Sequence, residues 1–450
     1  MMNDDEMNYA EYRLDNGIRI TELRTPAPTL TMGVRIDHAS LHENGEEHGM
    51  AHFTEHGIFS SRKNYGTNSA YHTRASFGFL NAFTDLVTTL YQADFLPRQL
   101  NMCSQFMQNE IFNPKFSNRI VTQESKIILR ELADEQSSLR FHDGQDFQRA
   151  LYGKTRSYYI LGSEETIEHA SPLDLHMFHA RGYVGKNTSV YLAGTLPENS
   201  RNVISSHFGK VNPGRRGRVV ELPELRPLKH PVIIRRPSPD LVFESNPSQS
   251  SCELVMGIRV PWSSNSKDTY AIHAMTEILG SADYFNSKLF RIVREKHGLV
   301  YHISSLFEDS REFGAIEIQA QVPSKRVDKT IDLIFDVFRD MQNNPVNTKE
   351  LDQIRDNAEY RLQRTLYNSI ESAKLVEYMW DKRMLLPNYV KALNTITPRT
   401  VQEAANKYLP SRREYGNYVL LIRDPLMKEG NGSHASKNGS APRAIRNYGR

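Results

Sequence analysis

Short stretches in the first half of this 450-residue chain recur, in the same order, in the second. A repeat of this kind constrains a fold more than composition does, because each copy must build the same supersecondary unit. Leu30-Thr31-Met32-Gly33-Val34-Arg35-Ile36 matches Leu254-Val255-Met256-Gly257-Ile258-Arg259-Val260 at an offset of 224. Gln92-Ala93 and Gln319-Ala320 end two strand-like runs at an offset of 227. Asn113-Pro114 and Asn344-Pro345 each follow an apolar helical stretch at an offset of 231. Two-residue matches arise easily by chance; three in one order with slowly growing offsets do not. The chain therefore reads as two homologous halves, in keeping with a length beyond what one hydrophobic core serves.

Each half opens on strand-like alternation, as in Gly17-Ile18-Arg19-Ile20-Thr21-Glu22-Leu23, and continues in long amphipathic helices. The periodicity predicts helices around 97–112, 120–138, 268–280, 325–342 and 347–384. The expected class is α+β: two homologous α/β-sandwich domains, each a mostly antiparallel sheet with helices packed on one face. Asn212-Pro213-Gly214-Arg215-Arg216-Gly217-Arg218 and Pro223, Pro227, Pro231, Pro237 and Pro239 break regular structure. They divide the chain into a first domain (1–215), a linker (216–247) and a second domain (248–427). The stretch 428–450, rich in Gly, Asn, Ser and basic residues, is expected to be a disordered extension.

Composition mainly excludes. Lys plus Arg (56) nearly balances Asp plus Glu (53), so neither nucleic acid nor an acidic membrane is an expected partner. The two cysteines, Cys103 and Cys252, permit neither a disulfide framework nor a cysteine-rich zinc site. Any metal must then be held by His and carboxylate. The start, Met-Met-Asn-Asp-Asp-Glu-Met, is acidic and polar, and no apolar run is long enough to span a bilayer. A cytoplasmic protein is the expectation.

The informative stretch is Gly49-Met50-Ala51-His52-Phe53-Thr54-Glu55-His56-Gly57-Ile58-Phe59. It reads as one helix up to about Gly57. His52 and His56 are four apart, so both imidazoles project from one face and can share an ion. Glu55 lies beside them without having to bind. This is the inverted zinc-peptidase order, His-x-x-Glu-His. A hydrolytic zinc needs a third ligand and an open position. Thr122-Gln123-Glu124-Ser125-Lys126-Ile127-Ile128-Leu129-Arg130-Glu131-Leu132 supplies Glu124 and Glu131, two helical turns apart on one face. We assign Glu131 to one Zn2+ per chain and Glu124 to the free ring N–H of a ligand imidazole. Three alternatives stay open: His48 extends the histidine ladder to a different trio, the two glutamates form a solvated helix face, or a closed four-ligand site serves structure alone.

The run Gly49 to Phe59, then Leu80-Asn81-Ala82-Phe83-Thr84, then Glu124 to Glu131, resembles the pitrilysin (insulysin-type, M16) family of metallopeptidases. Arg294-Glu295-Lys296-His297-Gly298-Leu299-Val300-Tyr301 is similar to the family's Arg…Tyr element from the other domain. The length resembles the short two-domain branch related to mitochondrial processing peptidase. The resemblance implies a zinc-dependent endopeptidase for short or unfolded peptides, with a leader or processing peptidase among the forms it takes, and Glu55 as general base. It further implies that Arg294 and Tyr301 hold substrate and stabilise the oxyanion. Asn81 and Ala82 would bind the substrate backbone as an added strand. The implied assembly is a homodimer, with a heterodimer as the alternative. A non-catalytic partner subunit is the rival reading, although such relatives typically lose one of the two elements kept here. The sequence departs from the family at Ser60-Ser61-Arg62-Lys63, in a shortened connection near 60–75, and at Leu279-Gly280-Ser281-Ala282-Asp283-Tyr284-Phe285-Asn286, where a glycine-rich stretch is usual. These departures bear on subsite preference.

Overall fold

The computed structural model describes residues 8–60, 76–156, 159–218, 220, 226–238, 241, 250–260, 268–281, 286–309, 314–382 and 392–427. The expected extension 428–450, the connection 61–75 and the departure at 282–285 lie outside the described residues.

Six strands form the first sheet: β1 (Asn8–Arg13), β2 (Arg19–Arg24), β3 (Leu30–Ile36), β4 (Phe79–Thr84), β5 (Thr89–Phe95) and β6 (Thr188–Gly194). Their order is β1-β2-β6-β3-β5-β4. The second sheet holds β7 (Val232–Pro237), β8 (Ser251–Val260), β9 (Ile303–Asp309), β10 (Gly314–Pro323) and β11 (Tyr418–Asp424), ordered β7-β11-β8-β10-β9. Among the described strands, β2 with β6 and β7 with β11 run parallel, and the other neighbours are antiparallel. With β1 set aside, the two sheets share one strand order and one set of directions. The repeat seen in the sequence is thus a repeat of topology.

The registers refine that repeat. Leu30 lies opposite Phe95, and its counterpart Leu254 lies opposite Ala320. Gln92-Ala93 therefore corresponds to Glu317-Ile318, two residues before the Gln319-Ala320 that the sequence suggested. A slip of two keeps every side chain on its own face, because strand side chains alternate with period two, so the pattern could not expose it.

Among the described residues the first half holds seven helices: α1 (Met50–Ser60), α2 (Leu100–Phe112), α3 (Asn118–Gln136), α4 (Leu139–Arg156), α5 (Glu164–His169), α6 (Pro172–Gly182) and α7 (Ser200–Phe208). Among the described residues of the second half, five α-helices follow: α8 (Thr269–Gly280), α9 (Val327–Asn343), α10 (Thr348–Leu366), α11 (Ser369–Lys382) and α12 (Pro398–Tyr408). Asn113 and Asn344 directly follow α2 and α9, the equivalent places in the two halves. The helix expected over 347–384 is two helices. Asn368 breaks it, because its side-chain oxygen accepts the Glu371 N–H at 3.0 Å and starts α11 as an N-cap. The expected linker is not structureless either. Val232-Ile233-Ile234 and the residues after them form edge strand β7 alongside β11.

Each sheet packs most of its helices on one face, around two apolar cores. The opposite face is covered by a helix borrowed from the other half. Phe147, Leu151 and Tyr152 of α4 pack on Ile234, Ala315, Val419 and Leu421 of the second sheet. Ala373, Val376 and Trp380 of α11 pack on Leu23, Tyr191 and Ala193 of the first. Covering both faces explains why β3 is buried at every position rather than at alternate ones. Polar contacts fix the exchange. Arg423, 2% exposed, donates to Asp143 of α4 at 3.0 Å and to Glu253 at 2.8 Å. Arg259 donates to the carbonyls of Ala150 and Leu151 near the end of α4. On the other side, Trp380 donates its indole N–H to Thr21 at 3.0 Å, and the Tyr191 hydroxyl donates to Glu377.

The α4 seam is expected to be pH-sensitive. Tyr152 donates to Glu308 at 2.6 Å. Burial first, and the Glu308 carboxylate second, push the buried Glu317 from an ordinary 4.5 up to about 7. A carboxyl kept protonated by the fold contributes stability that is full below the unfolded value and lost as pH rises through the folded one. The urea midpoint should therefore fall between about pH 5 and about pH 8, and Glu317→Gln should flatten that fall. Among the described residues, no helix is long and apolar enough to cross a membrane.

Candidate metal centre

The centre is built on α1 and α3. The Glu43 carboxylate caps the start of α1, accepting the N–H groups of Gly49 at 3.0 Å and Ala51 at 2.8 Å. Gly49 has φ +96°, and a Cβ there would lie 2.7 Å from the Gly162 backbone, so the entry to the helix requires glycine. The helix does not stop at Gly57 but runs on to Ser60. Gly57 serves close packing instead: a Cβ there would meet Phe116 at 2.8 Å and Leu175 at 3.0 Å. Ser117 caps α3, and buried Ile120, Val121, Ile128 and Leu132 hold that helix against the core.

This packing brings the predicted residues together. One ligand atom from each of His52, His56 and Glu131 lies within 4.8 Å of the other two. The two imidazoles stand edge to face with ring centroids 4.6 Å apart. His56 Nε2 is 3.8 Å from a Glu131 oxygen, and its Nδ1 is 3.2 Å from Glu124. Glu124 is buried and its other oxygen accepts the Ser60 hydroxyl at 2.5 Å, whereas the Glu131 side chain is 43% exposed. The two glutamates thus differ as the sequence suggested, one behind the ring and one beside its free edge. His48 precedes α1, and its Nε2 meets the Tyr159 carbonyl at 3.0 Å, so it is not part of the trio.

Glu55 is nine-tenths buried on the same helix and accepts the Thr84 hydroxyl at 2.6 Å. Burial raises its pKa, against the opposing Thr84 hydrogen bond and nearby His56. Burial, then His56, pushes His52 down to about 3, so it stays a neutral imidazole with lone pairs to offer. Burial also works against charge on His56, but its hydrogen bond to Glu124 and the nearby Glu131 and Glu55 outweigh that and raise its pKa.

The donor set suits a divalent cation. Three carboxylates converge on two imidazoles, leaving an excess of negative charge in a partly buried site. The buried Nδ1 of His52 has no hydrogen-bond partner among the described residues, which is costly for a polar atom unless a further group engages that nitrogen. Two imidazoles and one carboxylate, with Glu131 on the open side, match a zinc site that keeps a position free.

The remaining predicted residues are placed as follows. Asn81 and Ala82 lie on β4, which is an edge strand of the first sheet among the described residues, opposite Gln92 and Tyr91. Asn81 and Phe83 are exposed, Ala82 is buried, and Thr84 at the strand's end touches Glu55. Arg294 sits in a π-helical segment, Phe290–Lys296, with its guanidinium 4.6 Å from the Phe290 ring and 5.5 Å from the Tyr301 ring. Tyr301 is 79% exposed. Neither Arg294 nor Tyr301 bonds to the histidine–glutamate cluster among the described residues. Sequence reasoning missed Ser60, Thr84 and Glu43. Ser60 was within reach, being four residues beyond His56 on the same helical face. Glu43 carried no local signal, and Thr84, although inside the run Leu80 to Thr84, carried none for a place beside Glu55, because only the loop before α1 and the sheet bring them to the site.

The family model described as Insulinase (Peptidase family M16) matches residues 19–157, and that described as Peptidase M16 inactive domain matches residues 169–358. The chain is 23% identical over 434 residues to a Bacillus subtilis protein named uncharacterized zinc protease YmxG, covering 92% of this chain and 98% of that one. It is 28% identical over 217 residues to the beta subunit of rat (Rattus norvegicus) mitochondrial-processing peptidase, covering 47% of this chain and 44% of that one. A protease from Helicobacter pylori has the same fold, with TM-score 0.77 at 18% identity over 93% of this chain and all (100%) of the other.

Proposed function

Because the chain belongs to the insulinase (M16) peptidase family, we propose that it is a zinc-dependent endopeptidase acting on short or unfolded peptides. The observation that carries this reading is the convergence of His52, His56 and Glu131 within 4.8 Å, with Glu55 beside them. His52, His56 and Glu131 would hold the ion, and Glu124 orients His56 through its Nδ1. Zinc bound there would supply Lewis acidity towards a peptide carbonyl and lower the pKa of water. Glu55 takes the proton of the attacking water and passes it to the leaving amine, a role suited to a carboxylate whose basicity burial has raised. The backbone edge of β4 at Asn81 and Ala82 receives the peptide as an added strand, bonded through its main chain. Arg294 and Tyr301 hold substrate and donate to the developing oxyanion, and a homodimer with two centres is the assembly this reading expects.

The test is digestion of a peptide library by the purified chain, read by mass spectrometry together with zinc content. Zinc uptake with cleavage that a chelator abolishes is the expected result. Bound zinc without cleavage of any peptide would favour the rival, a non-catalytic partner subunit.

Thr84 adds a narrower expectation. It positions Glu55 and touches no ligand. Thr84→Val should lower kcat about tenfold, the value of one hydrogen bond to a charged group. KM and zinc content should stay unchanged, and Thr84→Ser should restore the rate. A changed zinc content would mean that Thr84 supports the ligands instead.

A further inference from the structure

The repeat of topology assigns each position of the metal centre a counterpart in the second half. Residues 50–58 of α1 and 271–279 of α8 follow the same succession of buried and partly buried positions, which places His273 where His52 is and Glu277 where His56 is. Buried Val121, Glu124 and Ile128 of α3 match buried Leu351, Ile354 and Ala358 of α10, which places Arg361 where Glu131 is. Thr84 lies opposite Thr89 and Asp309 opposite Gly314 in equivalent strand pairs, so Asp309 stands for Thr84.

The counterparts touch one another. Arg361 grips Glu277 with two nitrogens, at 3.2 and 3.4 Å. His273 lies 2.9 Å from Asp309, and the Tyr378 hydroxyl of α11 donates to Asp309 at 3.0 Å. One imidazole survives, the second has become a carboxylate, and the third ligand has become the guanidinium that pairs with it. We infer that the second half carries a vestige of the same cation site. In it the Glu277–Arg361 pair braces α8 to α10, as a cation would brace α1 to α3 in the first half. The inference takes the proposed centre of the first half as its template. A positive charge fixed on Arg361 now fills the role of the ion, so the wild-type vestige binds no cation.

The pair is therefore convertible. Glu277→His with Arg361→Glu places two imidazoles and a carboxylate at the three ligand positions. In a background cleared by His52→Ala and His56→Ala, this chain should bind one Co2+ with the visible absorption of a low-coordinate nitrogen and oxygen site, and the background alone should bind none. A folded converted chain without that absorption overturns the inference. Wild type titrated alongside separates the two readings: failure there counts against the metal centre itself. If the converted chain does not fold, the charge swap Glu277→Arg with Arg361→Glu decides. It should recover the thermal midpoint lost by Glu277→Ala or Arg361→Ala, and no recovery overturns the brace.

Discussion

Glu55→Gln is expected to cut peptide turnover by a factor of about 10³, the middle of the range for a lost general base, with zinc still bound. Glutamine keeps the shape of the side chain and can still accept the Thr84 hydroxyl, but it cannot take a proton from water. Glu55 is not one of the three clustered ligand residues, so its charge should matter to the rate and little to the ion. Turnover by the variant equal to wild type would remove Glu55 from the base role. Lost zinc with lost turnover would instead make it part of the ligand set.

The second large effect separates the two glutamates of α3. Glu131→Gln should weaken zinc binding by two orders of magnitude or more, because total site energies of about 10–16 kcal/mol shared among a few ligands leave roughly 3 kcal/mol for each. Glu124→Gln should cost about tenfold, in line with loss of a partner behind a ligand imidazole. Glu124 reaches only the back of His56, at Nδ1, while Glu131 lies on the Nε2 side. Competition with a chromophoric chelator gives both affinities, and the reverse order would mean that the two residues exchange roles.

The local part of the site was legible because helical spacing alone fixes it. His52 and His56 share a face in any α-helix, and so do Glu124 and Glu131. Which glutamate reaches the imidazoles depends on how α3 lies against α1, which Gly57 permits by letting Phe116 and Leu175 come close. Thr84 came to Glu55 through the pairing of β4 with β5, a non-local event with no trace in the residues around it.

The same division runs through the fold. The repeat, the strand and helix types and the class were readable, because periodicity of two and of 3.6 is written residue by residue. The slip between Gln92-Ala93 and Gln319-Ala320 escaped because period two hides it. The end of the long second-half helix depended on a single side chain, that of Asn368.

By itself the sequence determined a duplicated α+β chain carrying two imidazoles and a carboxylate pair at helical spacing, since those features depend only on neighbours along the chain. Tertiary structure alone decided that α4 and α11 cross to the opposite sheets. It also brought Glu131 to the histidines and Glu124 behind one of them, the roles the sequence had assigned, and decided that Arg361 neutralises the corresponding place in the second half. These outcomes depend on which surfaces are left to bury once both sheets have formed, and on charges that meet only after distant helices pack.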